Sequence, residues 1–208
     1  CVVQAAETAD EKGYVTGSFE TNTNYYLEDQ LTAATVPDGN FGSNNYLKVD
    51  YHNSRFTAGL QLENYAPALV GYSSELAGAE LTNFYVDWKD EDFSITAGSF
   101  YEQFGSGLLF RSWEERSLGL NNAVTGARFT YNYKDIVAFK ALWGLPRFGM
   151  GVFTNNASKE KTPTNLETQV RGADISFAAS NLLEWDNVYL AVEGSLLSRY
   201  EPITADLM

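Results

Sequence analysis

Along most of the chain apolar and polar residues alternate one for one, the period of a strand with one greasy and one wet face. Tyr14–Tyr26 sets Val15, Gly17, Phe19 and Tyr25 against Glu20, Asn22 and Asn24, and Tyr46–His52 sets Leu47, Val49 and Tyr51 against Lys48, Asp50 and His52. Arg55–Tyr65 sets Phe56, Leu60 and Leu62 against Gln61 and Glu63; Thr82–Trp88 sets Phe84, Val86 and Trp88 against Asn83, Tyr85 and Asp87. Phe93–Gln103 carries Phe93, Ile95 and Ala97 opposite Ser94 and Thr96, and Ala123–Tyr133 carries Ala127, Phe129 and Tyr131 opposite Arg128 and Thr130. Ile136–Trp143, Val170–Phe177 and Val188–Arg199 repeat the pattern, with Lys140, Asp174 and Glu193 on their polar sides. Nine strands are predicted. None is a continuous apolar run, which argues against a buried parallel sheet.

The connections alternate as well. Asn53-Ser54, Lys89-Asp90-Glu91-Asp92 and Lys134-Asp135 are tight, while the stretches after the first, third, fifth and seventh strands are long, and Ala178 to Asn187 is shorter again. A transmembrane barrel of the outer-membrane type has short turns on one side and long loops on the other, whereas both ends of a soluble sandwich face water and have no reason to differ. The predicted fold is therefore all-β, an antiparallel up-and-down transmembrane β-barrel, partly present here. Tyr25, Tyr51, Trp88, Phe93, Tyr131, Tyr133 and Trp143 fall near strand ends on the apolar face, where amphipathic rings settle at the headgroup level.

Composition narrows the chemistry. The 208 residues hold 14 Lys+Arg against 27 Asp+Glu, a net charge of −13, which disfavours nucleic acid as a partner. No run approaches the ~18 apolar residues of a spanning helix. One Cys and one His exclude an internal disulfide and a His-rich zinc site. Gly105-Ser106-Gly107 and Gly149-Met150-Gly151 lack the third glycine of a dinucleotide loop, His52 has no nucleophile motif beside it, and Asp90-Glu91-Asp92 reads as a hydrated turn. The adjacent Glu114-Glu115 is a poor acid/base pair for a glycosidase. The expectation is a protein that is not an enzyme, with no cofactor and no metal, whose partners are outer-membrane lipid, lipopolysaccharide and other envelope proteins.

The start, Cys1-Val2-Val3-Gln4-Ala5-Ala6, reads as the tail of a secretory signal with cleavage before Ala6, so residues 1–5 are a remnant and 6–208 one barrel domain. A rival reading makes Cys1 a lipid-modified first residue. The close, Pro202 to Met208, lacks the aromatic terminal residue usual for such barrels, so the chain reads as the amino-terminal piece of something longer.

One stretch breaks the alternation. Gly98 to Asn122 mixes apolar residues with Glu102, Arg111, Glu114, Glu115 and Arg116, and Ser112 is placed to cap a helical turn ending at Gly119. Such a loop is expected to fold back into a lumen, with Arg111 and Arg116 pairing Glu102 and Glu115 and setting selectivity, or to serve as an ordered cap that holds the strands together. Read as G-S-F-Y-E-Q-F-G-S-G-L-L-F-R-S-W-E-E-R-S-L-G-L-N-N-A-V-T-G, Gly98 to Gly126 resembles the central motif of an uncharacterised outer-membrane barrel family of the Bacteroidota. Ser99 and Asn121 stand where Asp is common in that motif. The resemblance implies a barrel in the cell outer membrane and a longer full-length protein, but no particular activity. On the residues alone two roles stay open: porin-like passage of a small polar solute or envelope scaffolding, and a soluble exported β-sandwich or barrel that binds carbohydrate.

Overall fold

A computed structural model describes residues 2–3, 13–28, 31, 36, 38–72, 76, 78–154, 161–165, 168–185 and 187–201, with the backbone alone at 2–3, 38, 148–154 and 161–165. The expectations for Cys1, for cleavage before Ala6 and for Pro202 to Met208 lie outside these residues. The chain is all-β and antiparallel. Nine principal strands are described: β1 Tyr14–Tyr25, β2 Phe41–His52, β3 Phe56–Tyr65, β4 Gly78–Lys89, β5 Phe93–Phe100, β6 Val124–Tyr133, β7 Val137–Thr154, β8 Gln169–Ala178 and β9 Ala191–Tyr200. Each is hydrogen-bonded to its neighbours in sequence, Val2–Val3 lies beside β1, and Lys161–Asn165 pairs with β7. Among the described residues this path has two ends, Val2–Val3 and β9, and no pairing closes it. No described helix is long and apolar enough to cross a membrane, which says nothing about crossing by strands.

Two compact units share the strands: one holds β1, β2, β3 from Ala58 and β4 to Phe84, the other β4 from Tyr85, β5, β6, β7 to Gly149, β8 and β9. In both, burial runs opposite to a water-soluble sheet. In the first unit Asn44, Gln61 and Glu63 are buried, Glu63 to 1% exposure, while Leu47, Leu60 and Leu62 on the other face are exposed. Gln61 Nε2 and the Tyr65 hydroxyl donate to the two Glu63 oxygens at 3.1 and 2.9 Å. In the second unit Thr96 and Asp174 are buried, whereas Ile95, Trp143, Ile175 and Leu196 are 45–75% exposed.

Several boundaries differ from the sequence reading. β2 starts at Phe41, not Tyr46, because Ser43 and Asn44 form part of its buried polar surface and carry no apolar signal. β5 ends at Phe100, before Gln103. β7 extends well past Trp143. Pro146 does not stop it: it stays opposite Val124 of β6, the Arg147 N–H donates to Ala123 O at 2.8 Å, and strand alternation turns the missing proline N–H to the other side, beyond Gly144 where the register with β8 ends. The connections at 53–55, 90–92 and 134–136 are tight, but 179–190 is not. It contains one helical turn, α1 Ala179–Leu182, and Asn181 Nδ2 donates to Asp135 O at 2.8 Å, bracing it against the 134–136 turn.

β6 and β7 meet at a glycine pair, Gly126 opposite Gly144. A Cβ on Gly126 would stand 2.1 Å from Trp143 O and 2.5 Å from Gly144 Cα. Those are backbone atoms that no rotamer change can clear. Gly126→Ala is expected to spread the two strands and cost about 1–3 kcal/mol, read as a lower urea midpoint; an unchanged midpoint would contradict this close approach.

Candidate functional site

The residues between β5 and β6 form an ordered structure on the polar face of the second unit. Gly105-Ser106-Gly107 turns a small hairpin, closed by Phe104 N–H donating to Phe110 O at 3.0 Å and Ser112 N–H donating to Glu102 O at 2.8 Å. Gly105 and Gly107 both have positive φ, 48° and 84°, conformations that favour glycine. Beyond it Glu114–Glu115 pairs with Leu120–Asn121 around a 3-10 turn, Arg116–Leu118, which ends on the left-handed Gly119.

Glu102 is the centre of this arrangement. Its carboxylate side chain, 9% exposed, receives Lys140 Nζ at 2.7 Å from β7 and Arg128 Nη1 at 3.3 Å from β6. Arg128 also donates to Tyr101 O at 3.2 Å and, through Nη2, to Thr96 Oγ1 at 2.9 Å, and it stands 3.8 Å from Asp87. The Thr96 hydroxyl donates in turn to Asp87 Oδ1 at 2.5 Å. Two carboxylates thus face two cations, each hydrogen-bonded, the condition under which such a low-exposure cluster is tolerated.

Next to it lies an apolar patch that breaks the rule of the polar face. Phe100, Val124, Leu142 and Val170 are buried there, covered by Phe104 of the loop, with Phe110 packed against them. Gly172 leaves the room: a Cβ at that position would be 2.8 Å from Phe104 Cε2. Removing a Phe side chain of this kind from water contributes about 1.5–3 kcal/mol.

The loop residues singled out from sequence are placed together, but not in the expected pairs. Arg116 bonds Glu114, at 3.3 Å through Nε, and Arg111 lies 4.9 Å over the Trp113 ring. Glu115 pairs with neither arginine; it accepts from the Ser117 hydroxyl and backbone N–H, which hold its carboxyl below the usual carboxylate range. The cap of the 3-10 turn is therefore Glu115, not Ser112, whose hydroxyl instead accepts from the Glu102 N–H. The spacing favours this outcome, since Arg116 reaches a carboxylate two residues back more cheaply than one across a hairpin. Asn121, fully buried, accepts from the Tyr101 hydroxyl and the Ala123 N–H and donates to Glu114.

Sequence reasoning missed Arg128, Lys140 and Asp87 as members of the site. A signal was present: cations on the polar side of adjacent strands, beside out-of-phase Phe100, Leu142 and Val170, mark a polar face that something apolar must cover. The girdle candidates lie on the exposed apolar side of their strands. Trp88 meets Phe93 edge-on at 5.2 Å and Phe93 is paired with Tyr131, all close to the tight turns, while Tyr51 is opposite Val15 near the 53–55 turn. Tyr25, opposite Phe41, and Trp143, opposite Ala127, sit further from the tight turns. His52 stacks on Tyr14 at 4.9 Å, with its Nε2 3.1 Å from Thr16 Oγ1. No group of three or more metal-ligating side chains is gathered among the described residues.

The model of one protein family, described as a family of unknown function, matches the chain over residues 1–207. No curated protein matches it.

Proposed function

The chain belongs to the DUF6029 family, whose function is unknown, and on that footing we propose that it is an outer-membrane β-barrel protein that passes a small polar solute. The observation that carries this reading is the inverted burial, with Glu63, Asn44 and Asp174 inside and Ile175, Trp143 and Leu196 outside. In water, leaving such side chains exposed forfeits about 25 cal/mol for every Å² of apolar surface; against lipid tails the arrangement is the stable one. Strand length agrees. Ten residues, as in β3, β6 and β8, at about 3.3 Å each and tilted ~45° rise about 23 Å, close to the ~25 Å apolar band of such barrels. A soluble carbohydrate-binding sandwich would bury that same apolar set against a second sheet.

In this reading the polar face lines the passage and the loop at 101–122 narrows it, with the exposed Arg111 facing the solute. The test has two parts. Membranes from expressing cells should retain the protein through a carbonate wash, release it into detergent, and show a heat-modifiable band; release into plain buffer would refute the membrane reading. In planar bilayers Arg111→Ala should change single-channel conductance, and a chain that never conducts would leave scaffolding as the role.

A further inference from the structure

We propose that Glu102 is a pin that fixes the loop at 101–122 permanently on the sheet, making it a built-in plug and not a lid. One carboxylate gathers several strands: it bonds β6 through Arg128 and β7 through Lys140, and Arg128 carries the connection on to Thr96 of β5 and Asp87 of β4. Lys140 Nζ also donates to Gln103 O at 3.0 Å, so the backbone of the loop is held as well as its side chain. Glu102 is braced from within the loop, its N–H on Ser112 Oγ at 2.8 Å and its Oε1 accepting from Gln103 N–H at 2.9 Å.

A second attachment is independent of charge. Phe104, 2% exposed, fills the space left by Gly172 on β8 and closes the patch of Phe100, Val124, Leu142 and Val170. Buried Asn121 ties the far end of the loop to Tyr101 at its start. Within the loop Arg116 bonds Glu114 and Arg111 lies over Trp113. A lid needs a seat it can leave at little cost. Here leaving exposes an aromatic ring and separates two ion pairs at once.

The pin concerns only the loop and the sheet beneath it, so it stands apart from the membrane reading; its consequence for passage rests on that reading. Hydrogen exchange by mass spectrometry on the full chain in detergent micelles tests it. Peptides spanning 101–112 should exchange slowly in the wild type and at least tenfold faster in Glu102→Gln and in Phe104→Ala, with β6 and β8 unchanged. Arg111→Ala should keep the wild-type rate. Rapid exchange of 101–112 in the wild type, or wild-type rates in the variants, overturns the pin. Should Glu102→Gln fail to fold, Lys140→Met and Phe104→Ala decide by the same criterion. In planar bilayers Glu102→Gln should raise conductance severalfold. Faster exchange with unchanged conductance keeps the pin and refutes its control of passage.

Discussion

Replacing Ile175 by Arg should destabilise the protein in a bilayer by about 2–4 kcal/mol while barely affecting the sheet's hydrogen bonding. Ile175 is mid-strand in β8, opposite Phe139 on one side and Gly194 on the other, and half its surface is free. On a sheet facing water an exposed Ile→Arg change stays within about 0.5 kcal/mol. On a lipid-facing sheet a guanidinium near the midplane costs about 2–4 kcal/mol. The measurement is a urea titration of the protein folded into phospholipid vesicles, beside the same titration of a change on the adjacent polar face, Ser176→Asn. A variant as stable as wild type would end the lipid-facing interpretation, because the exposed apolar side chains of β8 would then be in water.

A second large effect is expected at Arg128. Arg128→Met keeps much of the side chain's length and apolar stem but leaves Glu102 with Lys140 as its remaining cation and Asp87 with the Thr96 hydroxyl. Breaking a fully buried pair costs about 3–5 kcal/mol, chiefly because the partner stays behind unpaired; with Arg128 and Asp87 23% and Lys140 34% exposed, solvent screens part of that, and about 1–3 kcal/mol is expected. Lys140 offsets part of this, so the lower end of that range is expected. Adding Glu102→Gln to Arg128→Met should therefore cost less than the sum of the two single changes. Equilibrium unfolding of the four proteins reads the coupling; strictly additive costs would mean that Glu102 and Arg128 do not depend on each other.

Much of the strand inventory was legible from the alternation because the two faces differ sharply in polarity. Leu47, Leu60, Leu62, Ile95 and Ile175 all lie on the face assigned from sequence. What the alternation cannot give is which face is buried, since the same pattern serves a sheet in water and a sheet in lipid. Strand ends were misplaced where Ser43 and Asn44 replace apolar signal with hydrogen bonding, and where β7 runs on through Pro146. The connection after β8 reads as shorter than the long loops, and the helical turn it holds at Ala179–Leu182 is not legible, having no strong composition of its own and being held from outside by Asp135. In the loop the participating residues were visible while their partners were not. Short side-chain bridges between near neighbours, Glu114 with Arg116 and Glu115 with Ser117, outcompete longer ones, and Glu102 is then left for cations that only the pairing of β5, β6 and β7 brings near.

Strand order has a consequence for how the chain reaches this state. Among the described residues each of β1 to β9 pairs with the next principal strand along the chain, so the sheet can close one connection at a time, and the entropy lost in each grows only slowly with the length of the link. The sheet can grow hairpin by hairpin, each new ribbon templated on the last. A missing or misfolded hairpin would then halt growth at that point while the ribbons already laid down keep their registers.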